Sequence, residues 1–198
     1  MKYKTDMSIR RHKCRGFTLL ELLVTVAVAS IFLAVAPSTF LNLLNTARLK
    51  SQIYDFNDAL NFARSEAVKR GLPVTVCPST NQTACAASGT RFESGWIVFV
   101  DNNSNQTVDA GDEVLRATTA LITNYTLRGT SATTLNSYIT FNSKGRASAS
   151  GTYILCKSSA INPSRAILIS SAGRITAATD NNGTPQDASG TNMTTCTP

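Results

Sequence analysis

The sequence predicts an α+β protein in which one long N-terminal helix, first membrane-spanning and then amphipathic, packs on a β-sandwich-like head. Three observations predict this fold. A continuous apolar segment covers residues 17–36, apolar residues at helical spacing follow it, and from residue 74 short apolar runs alternate with Gly, Asn, Ser and Thr. Because no second long helical pattern follows, the sheets are expected to bury a face against the first helix.

Positive charge is concentrated at the start of the chain. The sequence has 19 Lys and Arg against 12 Asp and Glu, a formal net charge of +7, and six of those cations lie in residues 1–16. Without these residues, the 13 remaining cations face 11 acids, a net charge of about +2. We interpret residues 1–16 as a basic leader that is removed, so the overall charge does not by itself indicate a nucleic-acid-binding protein.

The apolar segment, residues 17–37, is predicted to span a membrane once. Twenty residues of helix extend about 30 Å, the thickness of the hydrocarbon core of a bilayer. The basic leader should stay in the cytoplasm, so the segment would cross the inner membrane and leave the head in the periplasm. The alternative is a secretory signal peptide cut after residues 34–36. The length of the apolar segment, the charge of Glu21 and the position of Pro37 disfavour it.

Residues 38–71 are predicted to continue as an amphipathic helix into the head, with a bend or loosening at Pro37. Apolar residues recur at alternating spacings of four and three, and charged residues take the other positions. The apolar stripe consists of Leu49, Ile53, Phe56, Leu60, Ala63 and Ala67. We expect this stripe to pack on the head rather than on a coiled-coil partner. Lys69 and Arg70, followed by Gly71 and Pro73, predict that the helix ends near Arg70.

Residues 72–198 are predicted to form the β-rich head. The segments with the composition of strands are 74–77, 96–100, 114–117, 138–141, 153–156 and 166–170, with weaker ones at 125–128 and 174–177. The C-terminal tail is poor in apolar residues and needs a covalent anchor to stay ordered.

Four cysteines remain after the leader, which contains Cys14. An even number in an exported chain predicts two disulfides formed in an oxidising compartment. Three pairings are possible. We favour Cys77 with Cys85, which flank a short polar loop, and Cys156 with Cys196, which would anchor the tail. Reduced structural thiols or metal-binding thiols are the alternative.

Catalytic chemistry finds little support in the sequence. The only histidine, His12, lies in the leader, so the remaining chain lacks the residue needed for Ser-His-Asp or Cys-His catalysis and for histidine metal sites. Residues 101–113 carry Asp and Asn at offsets similar to a calcium loop, but Gln106 occupies the position of the required glycine. We therefore expect no enzyme activity, no cofactor and no metal, and a polar hairpin loop at residues 101–113.

The start of the apolar segment, Gly16-Phe17-Thr18-Leu19-Leu20-Glu21, resembles the class III signal of type IV pilins and pseudopilins. The resemblance implies that a prepilin peptidase cuts between Gly16 and Phe17 and methylates the new amino group of Phe17. It also implies packing against other pilins or pseudopilins through the N-terminal helix. An ionised carboxylate in a membrane helix costs about 2.5–3.5 kcal/mol on insertion scales. We therefore expect Glu21 to pair with the Phe17 amine of a neighbouring subunit during assembly.

Two further parts of the chain resemble the GspH/FimT family of minor pilins and type II secretion pseudopilins. They are the helical segment 63–67 (ARSEA) and the strand and loop of residues 95–116 (GWIVFVD, an Asn/Asp-rich loop, then GDEVLR). The resemblance implies a structural subunit that assembles or primes a type IV pilus, within the pilus or at its tip, with a contribution to DNA uptake in natural transformation. The alternatives are a DNA-binding competence pilin and a type II secretion pseudopilin of a pseudopilus.

Residues 114–179 contain seven cations and no acid, which suggests a surface for DNA. The candidate DNA-binding residues are Lys144, Arg146, Lys157, Arg165 and Arg174. DNA-binding members that this family resembles carry a C-terminal Gly-Arg-x-Arg signature. Here Gly173-Arg174 is followed by Thr176 in place of the second arginine, and Gly145-Arg146 is a similar half-match. The alternative is that each Gly-Arg pair forms a turn whose cation is simply solvated.

Overall fold

A computed structural model describes residues 16–129, 134–158, 160–178, 180–181, 184–187 and 190–196. Residues 1–15 of the predicted leader, including His12 and Cys14, lie outside these ranges. The description also leaves out the side chains of residues 33–39, 42, 134, 162, 163, 180 and 181. The chain divides between Leu43 and Leu44 into two compact units.

Helix α1 extends from Leu19 to Arg70, so Pro37 lies within the bounds of the helix and does not end it. At the C-terminal end, Gly71 has a φ of +69° and its N–H donates to the carbonyl of Ala67 at 3.0 Å. This left-handed glycine satisfies one of the last helical carbonyls. Over the residues that the structure describes, none of the helices is both long and apolar enough to cross a membrane.

The head contains two four-stranded antiparallel sheets, which confirms the predicted α+β class. The strands are β1 Val74–Pro78, β2 Trp96–Val100, β3 Glu113–Thr118, β4 Tyr125–Gly129, β5 Ile139–Phe141, β6 Gly151–Lys157, β7 Ala160–Ile169, β8 Ile175–Ala177, β9 Asp180–Asn181 and β10 Thr184–Pro185. The first sheet has the order β3-β2-β1-β5 and the second the order β4-β6-β7-β8, while β9 and β10 form a separate pair. A 3₁₀ turn, Phe92–Ser94, and a short helix α2, Thr134–Ser137, were not predicted.

The predicted apolar stripe of α1 forms the centre of the core. All six stripe residues are buried, and the aromatic ring of Phe56 packs edge-on against Phe92, Trp96 and Tyr153 at centroid distances of 5.2, 5.1 and 4.9 Å. These rings come from the 3₁₀ turn, β2 of the first sheet and β6 of the second. A single helical side chain, Phe56, therefore contacts both sheets. Burial also raises the pKa of the Tyr153 hydroxyl far above its ordinary value.

Each disulfide belongs to a smaller apolar cluster outside the main core. Cys77 and Cys85 are bonded and pack with Ile97 and Phe99, and Cys156 and Cys196 are bonded within a second cluster. The loop closed by the first bond places the partly buried Cys85 against Cys77, Ile97 and Phe99 on one face of the first sheet. Since helix α1 covers the opposite face, β1 and β2 are buried along their whole length, and their sequences are almost entirely apolar.

The structure departs from the simple amphipathic pattern at Glu66, which the sequence placed among the solvent-facing charges. Glu66 is buried and accepts hydrogen bonds from Arg70 Nε at 2.7 Å and Lys69 Nζ at 3.1 Å. Arg70 also pairs with Glu113 on β3 at 2.5 Å. The hydrogen bonds from Arg70 and Lys69 lower the pKa of Glu66. The carboxylate is tolerated in a buried position because two cations of its own helix satisfy it.

Candidate functional site

Helix α1 begins immediately after the predicted processing site. Thr18 caps the helix: its Oγ1 accepts the backbone N–H of Glu21 at 3.2 Å, and its carbonyl accepts that of Leu22 at 3.1 Å. Thr18 and Glu21 have the spacing of a capping box, in which the side chains of the first cap and the third helical residue satisfy free N–H groups. The sequence thus places the helix cap, Thr18, one residue after Phe17 and the Glu21 carboxylate in the first turn, where the helix dipole favours negative charge.

In the first unit, the residues whose side chains are described, 16–32, 40, 41 and 43, form an almost entirely apolar surface. Its exposed apolar residues are Phe17, Leu19, Leu20, Leu22, Leu23, Val24, Val26, Val28, Ile31, Phe32, Phe40, Leu41 and Leu43. The hydroxyls of Thr25 and Ser30 donate to the carbonyls of Leu22 and Ala27 at 2.9 and 2.7 Å, so their hydrogen bonds are made within the helix. Among the described residues from 16 to 43, Glu21 carries the only side-chain charge. Such a surface is suited to apolar surroundings and to packing against similar helices.

In the head, the two Gly-Arg pairs form the ends of two similar hairpin turns. The first turn joins Asn142 to Arg146, and the second joins Ser170 to Arg174. In each turn, the glycine N–H donates to the carbonyl of the first turn residue, Asn142 or Ser170, at 2.8 Å. The N–H of that same first residue donates to the carbonyl of the arginine at 3.0 Å. The glycines have φ of +72° and +76°. The five-residue pattern requires a left-handed residue before the arginine, which explains the glycine of each pair without any ligand.

The two turns contact each other and helix α1. A Cβ atom placed on Gly173 would lie 1.9 Å from the carbonyl oxygen of Gly145, and 3.2 Å from Arg64 Nε. That same carbonyl accepts a hydrogen bond from Arg64 Nε at 3.1 Å. The turn after β5 belongs to the first sheet and the turn after β7 to the second. Arg64 and the two glycines therefore close the joint between the sheets at one end of the helix.

This contact gathers four cations, which we call the basic end: Arg64, Lys144, Arg146 and Arg174. Lys144, Arg146 and Arg174 are exposed, and Arg64 is half-buried. Across the described ranges, the ion pairs involve other cations, and none of these four lies within salt-bridge distance of a carboxylate. Close cations without acidic partners attract polyanions, because phosphate contacts need charge but no sequence readout.

The other two candidate DNA-binding residues lie elsewhere. Lys157 is at the far end of β6 from Gly151, whose partner Ile169 leads directly into the second turn. Arg165 donates to the carbonyl of Ser164 at 2.8 Å and lines a small cavity with Lys50 and Tyr54. The structure therefore separates these two from the basic end. Arg64 was missed as a candidate, although its position beside the buried Ala63 could have shown that it borders the head.

The polar loop after β2 is held by its own carboxylates. The buried Asp101 accepts hydrogen bonds from Thr75 Oγ1 at 2.9 Å and from the N–H groups of Asn105 and Gln106, both at 3.0 Å. Hydrogen bonds from the Asn103 and Asn105 side chains lower the pKa of Asp109. Across the described residues, no group of three or more His, Cys, Asp or Glu side chains gathers in a way that would hold a metal ion. The carboxylates of this loop organise a hairpin connection.

Comparison with known protein families gives two matches. The model of the type II transport protein GspH matches residues 52–173, which covers most of the head. The chain belongs to the GspH family. The prokaryotic N-terminal methylation motif matches residues 11–37, which include the processing site and the start of α1. Family membership makes this chain a pilin or pseudopilin type of subunit, anchored in a membrane.

Two solved structures of a minor pilin show the same fold. The type IV minor pilin FimU of Pseudomonas aeruginosa matches in two crystal forms. The first match has a TM-score of 0.58 and 18% identity, and it covers 78% of this chain and 98% of FimU. The second has a TM-score of 0.53 and 21% identity, and it covers 75% of this chain and 99% of FimU. The minor pseudopilin EpsH of Vibrio cholerae matches with a TM-score of 0.45 and 12% identity, covering 66% of this chain and 95% of EpsH. A comparison with curated protein sequences gives no match.

The start of α1 and the basic end lie in different parts of the chain. The capped helix start directly follows the predicted Gly16-Phe17 processing site and brings an apolar helix and one carboxylate into a single segment. The basic end is part of the head, and its glycines are required by hairpin geometry.

Proposed function

We propose that this chain is a minor pilin of a type IV pilus, held in the inner membrane by a single span with its head in the periplasm until assembly. A prepilin peptidase would cut between Gly16 and Phe17 and methylate Phe17. The observation that carries the proposal is the capped start of α1, where the cut would leave a free amine one residue before the Thr18 cap. Similarity of the head to the minor pilin FimU supports a pilus over a pseudopilus.

Electrostatics gives Glu21 its proposed role. A free amine at the positive end of a helix dipole is unfavourable, and so is an unpaired carboxylate in an apolar layer. Pairing Phe17 of an incoming subunit with Glu21 of a neighbour removes both costs. The pairing would offset the cost of about 2.5–3.5 kcal/mol of placing the Glu21 charge in the membrane. Because the pair forms at only one stagger between neighbouring helices, it would also select the correct stagger.

The Glu21→Ala variant tests this role. We expect normal membrane insertion and at least a tenfold drop in incorporation into pili, because each 1.4 kcal/mol corresponds to about a factor of ten. Thr25→Ala, which removes a polar group one turn further along the same helix, is the matched control and should be incorporated normally. Sheared pili and membrane fractions are compared by immunoblotting. Equal incorporation of Glu21→Ala and the control would contradict the proposal.

The family also includes subunits of secretion systems, so the assembly itself needs a genetic test. A deletion strain is scored for pili and for protein secretion in parallel. We expect loss or shortage of pili with normal secretion. Loss of secretion with normal pili would instead identify a type II secretion pseudopilin.

A second candidate function, DNA binding during natural transformation, is favoured by the basic end. Three exposed cations and Arg64 meet there without an acidic partner among the described residues. We expect Arg146→Gln with Arg174→Gln to weaken DNA binding and to lower its salt dependence by about two counterions. Lys157→Gln with Arg165→Gln changes the net charge equally at distant positions and is the control. The same loss in both double variants, or no binding at low salt, would contradict a site at the basic end.

A further inference from the structure

Four cations lie around helix α1 at the end of the head where the chain enters it, close to the unit boundary at Leu44. Arg48 and Lys50 are on α1 and are exposed, whereas Lys157 on β6 and Arg165 on β7 are half-buried. Neither the helix start nor the basic end includes them. These cations therefore need an explanation of their own.

Two surface cavities connect three of these cations with the same part of the head. Lys50 lines one cavity with Arg165 and the exposed ring of Tyr54, and Arg48 lines the other with Ile122. Arg48 and Lys50 are two positions apart on one helix, so they project to different sides of the same turn. The two cavities consequently flank α1 at the same level.

Lys157 belongs to this end of the head as well. The carbonyl of Asn124, two residues after Ile122, accepts the backbone N–H of Ser158 at 2.6 Å. Lys157 directly precedes Ser158, so the segment after Ile122 brings the end of β6 beside the other cations. The basic end lies at the opposite end of β6. The head thus carries two separate groups of cations, one at each end.

We call the second group, with the two exposed apolar side chains beside it, the entry rim: Arg48, Lys50, Tyr54, Ile122, Lys157 and Arg165. Tyr54 is 62% exposed and Ile122 is 49% exposed. Asp55 is the one carboxylate among the residues that line the two cavities. In the part of the chain that the structure describes, no salt bridge involves Arg48, Lys50 or Lys157. The rim combines excess positive charge with exposed apolar surface.

The spacing of charges along α1 relates the rim to a bilayer. Residues 22–47 carry no charged side chain, so Arg48 and Lys50 are the first charges after Glu21. A helix of that length extends about 39 Å, and a bilayer with its headgroup layers is about 40–45 Å thick. With Glu21 at one headgroup layer, the two cations would fall at the other. This step rests on the single membrane span proposed above.

We propose that the entry rim binds anionic phospholipid headgroups on the periplasmic face of the membrane before the subunit is assembled. Lysine and arginine near a membrane surface are attracted to acidic lipids, and aromatic side chains such as Tyr54 settle at the headgroup level. The exposed Ile122 favours a lipid over a nucleic acid, because a phosphate backbone offers no apolar layer. Assembly would then have to break these lipid contacts.

Quenching of tryptophan fluorescence by lipid tests the contact in the full-length protein reconstituted into vesicles. Ile122→Trp places a reporter in the rim, and Leu72→Trp places a control reporter at an exposed position beyond the other end of α1. The native Trp96 is buried and gives a constant background. The vesicles contain phosphatidylcholine with brominated acyl chains, alone or mixed with phosphatidylglycerol, with the same composition in both leaflets. We expect phosphatidylglycerol to increase the quenching of Ile122→Trp and to leave Leu72→Trp unquenched.

Two double variants, both made in Ile122→Trp, locate the contact. Lys50→Gln with Lys157→Gln should lower the ratio of lipid-bound to free heads about thirtyfold, since each cation near an anionic surface contributes about a factor of five. Arg146→Gln with Arg174→Gln removes the same charge from the basic end and should leave the quenching unchanged. If Ile122→Trp does not fold, hydrogen exchange of the unsubstituted chain replaces it. Exchange in residues 119–124 should then slow only with phosphatidylglycerol.

The outcomes separate this inference from the proposed span. Vesicles are first washed with alkaline carbonate and floated, and a chain lost in the wash overturns the span and the inference with it. A chain that stays with the vesicles but shows no quenching or slowed exchange overturns the inference alone. Equal signals with and without phosphatidylglycerol, or equal losses in the two double variants, also overturn it. Loss of DNA binding in Lys50→Gln with Lys157→Gln, without any effect of phosphatidylglycerol, would identify a nucleic-acid surface instead.

Discussion

Replacing Gly173 by alanine should be among the most damaging single-methyl changes in this protein. The added Cβ would lie 1.9 Å from the carbonyl oxygen of Gly145, which is a backbone atom and cannot rotate away. Gly173 also has a φ of +76°, a left-handed conformation that disfavours residues with a Cβ. The two turns must move apart, and the hydrogen bond from Arg64 to Gly145 is lost with their contact.

The magnitude follows from these two effects. The left-handed conformation costs a residue with a Cβ about 1–2 kcal/mol. Losing a hydrogen bond from a charged group costs about 1.5–3 kcal/mol. Together they amount to a destabilisation of about 2.5–5 kcal/mol. For a protein of this size, each kcal/mol lowers the melting temperature by about 2–4 °C, so we expect a fall of at least about 5 °C.

Gly71→Ala separates the steric effect from the backbone effect. Gly71 has a similar φ of +69°, but a Cβ atom there would meet nothing within 4 Å. Its melting temperature should fall only by the share due to backbone conformation, about 2–8 °C. Thermal unfolding of both variants is followed by the fluorescence of Trp96. Equal decreases for Gly71→Ala and Gly173→Ala would refute the contact between the two turns.

Three further predictions concern the core, the tail and the pH dependence. Phe56→Ala removes the ring that contacts both sheets and should cost about 3–5 kcal/mol of unfolding free energy, measured by urea denaturation. Cys196→Ser opens a loop of 40 residues and should cost up to about 4 kcal/mol, with protease cleavage appearing in the tail. Since Arg70 and Lys69 lower the pKa of Glu66 in the folded state, their contribution is present above the unfolded pKa and is lost as pH falls through the folded value. The stability difference between wild type and Glu66→Gln should therefore shrink on acidification.

Much of the head could be predicted because the spacing of apolar residues within one helix or strand shows which of them are buried. The helical spacing from Leu49 to Ala67 identifies the buried face of α1, and the structure buries every residue of that stripe. Strand β2 has the bounds that its apolar run predicts, Trp96–Val100. Burial by a regular element repeats with a fixed period, so it can be read from the sequence. The short helix α2 and the pair β9 and β10 have no such repeat and were missed.

The candidate DNA-binding residues show the limit of this approach. Seven cations in residues 114–179 suggested one surface, but a charge count carries no information on which strand end each cation occupies. Lys157 and Arg165 lie apart from the basic end, and Arg64, from another part of the chain, belongs to it. The hydrogen bond from Arg64 to Gly145 joins residues separated by 81 positions. No periodicity in the sequence connects them.

The sequence by itself determined the processing signal, the long helix with its buried stripe and the β-rich class of the head. These follow from short-range properties: residue type, spacing and chain direction. Only the tertiary structure decided the meeting of the two Gly-Arg turns and the burial of Glu66. Each of those depends on two sheets closing around one helix, and the contacts that result are set by three-dimensional packing rather than by position along the chain.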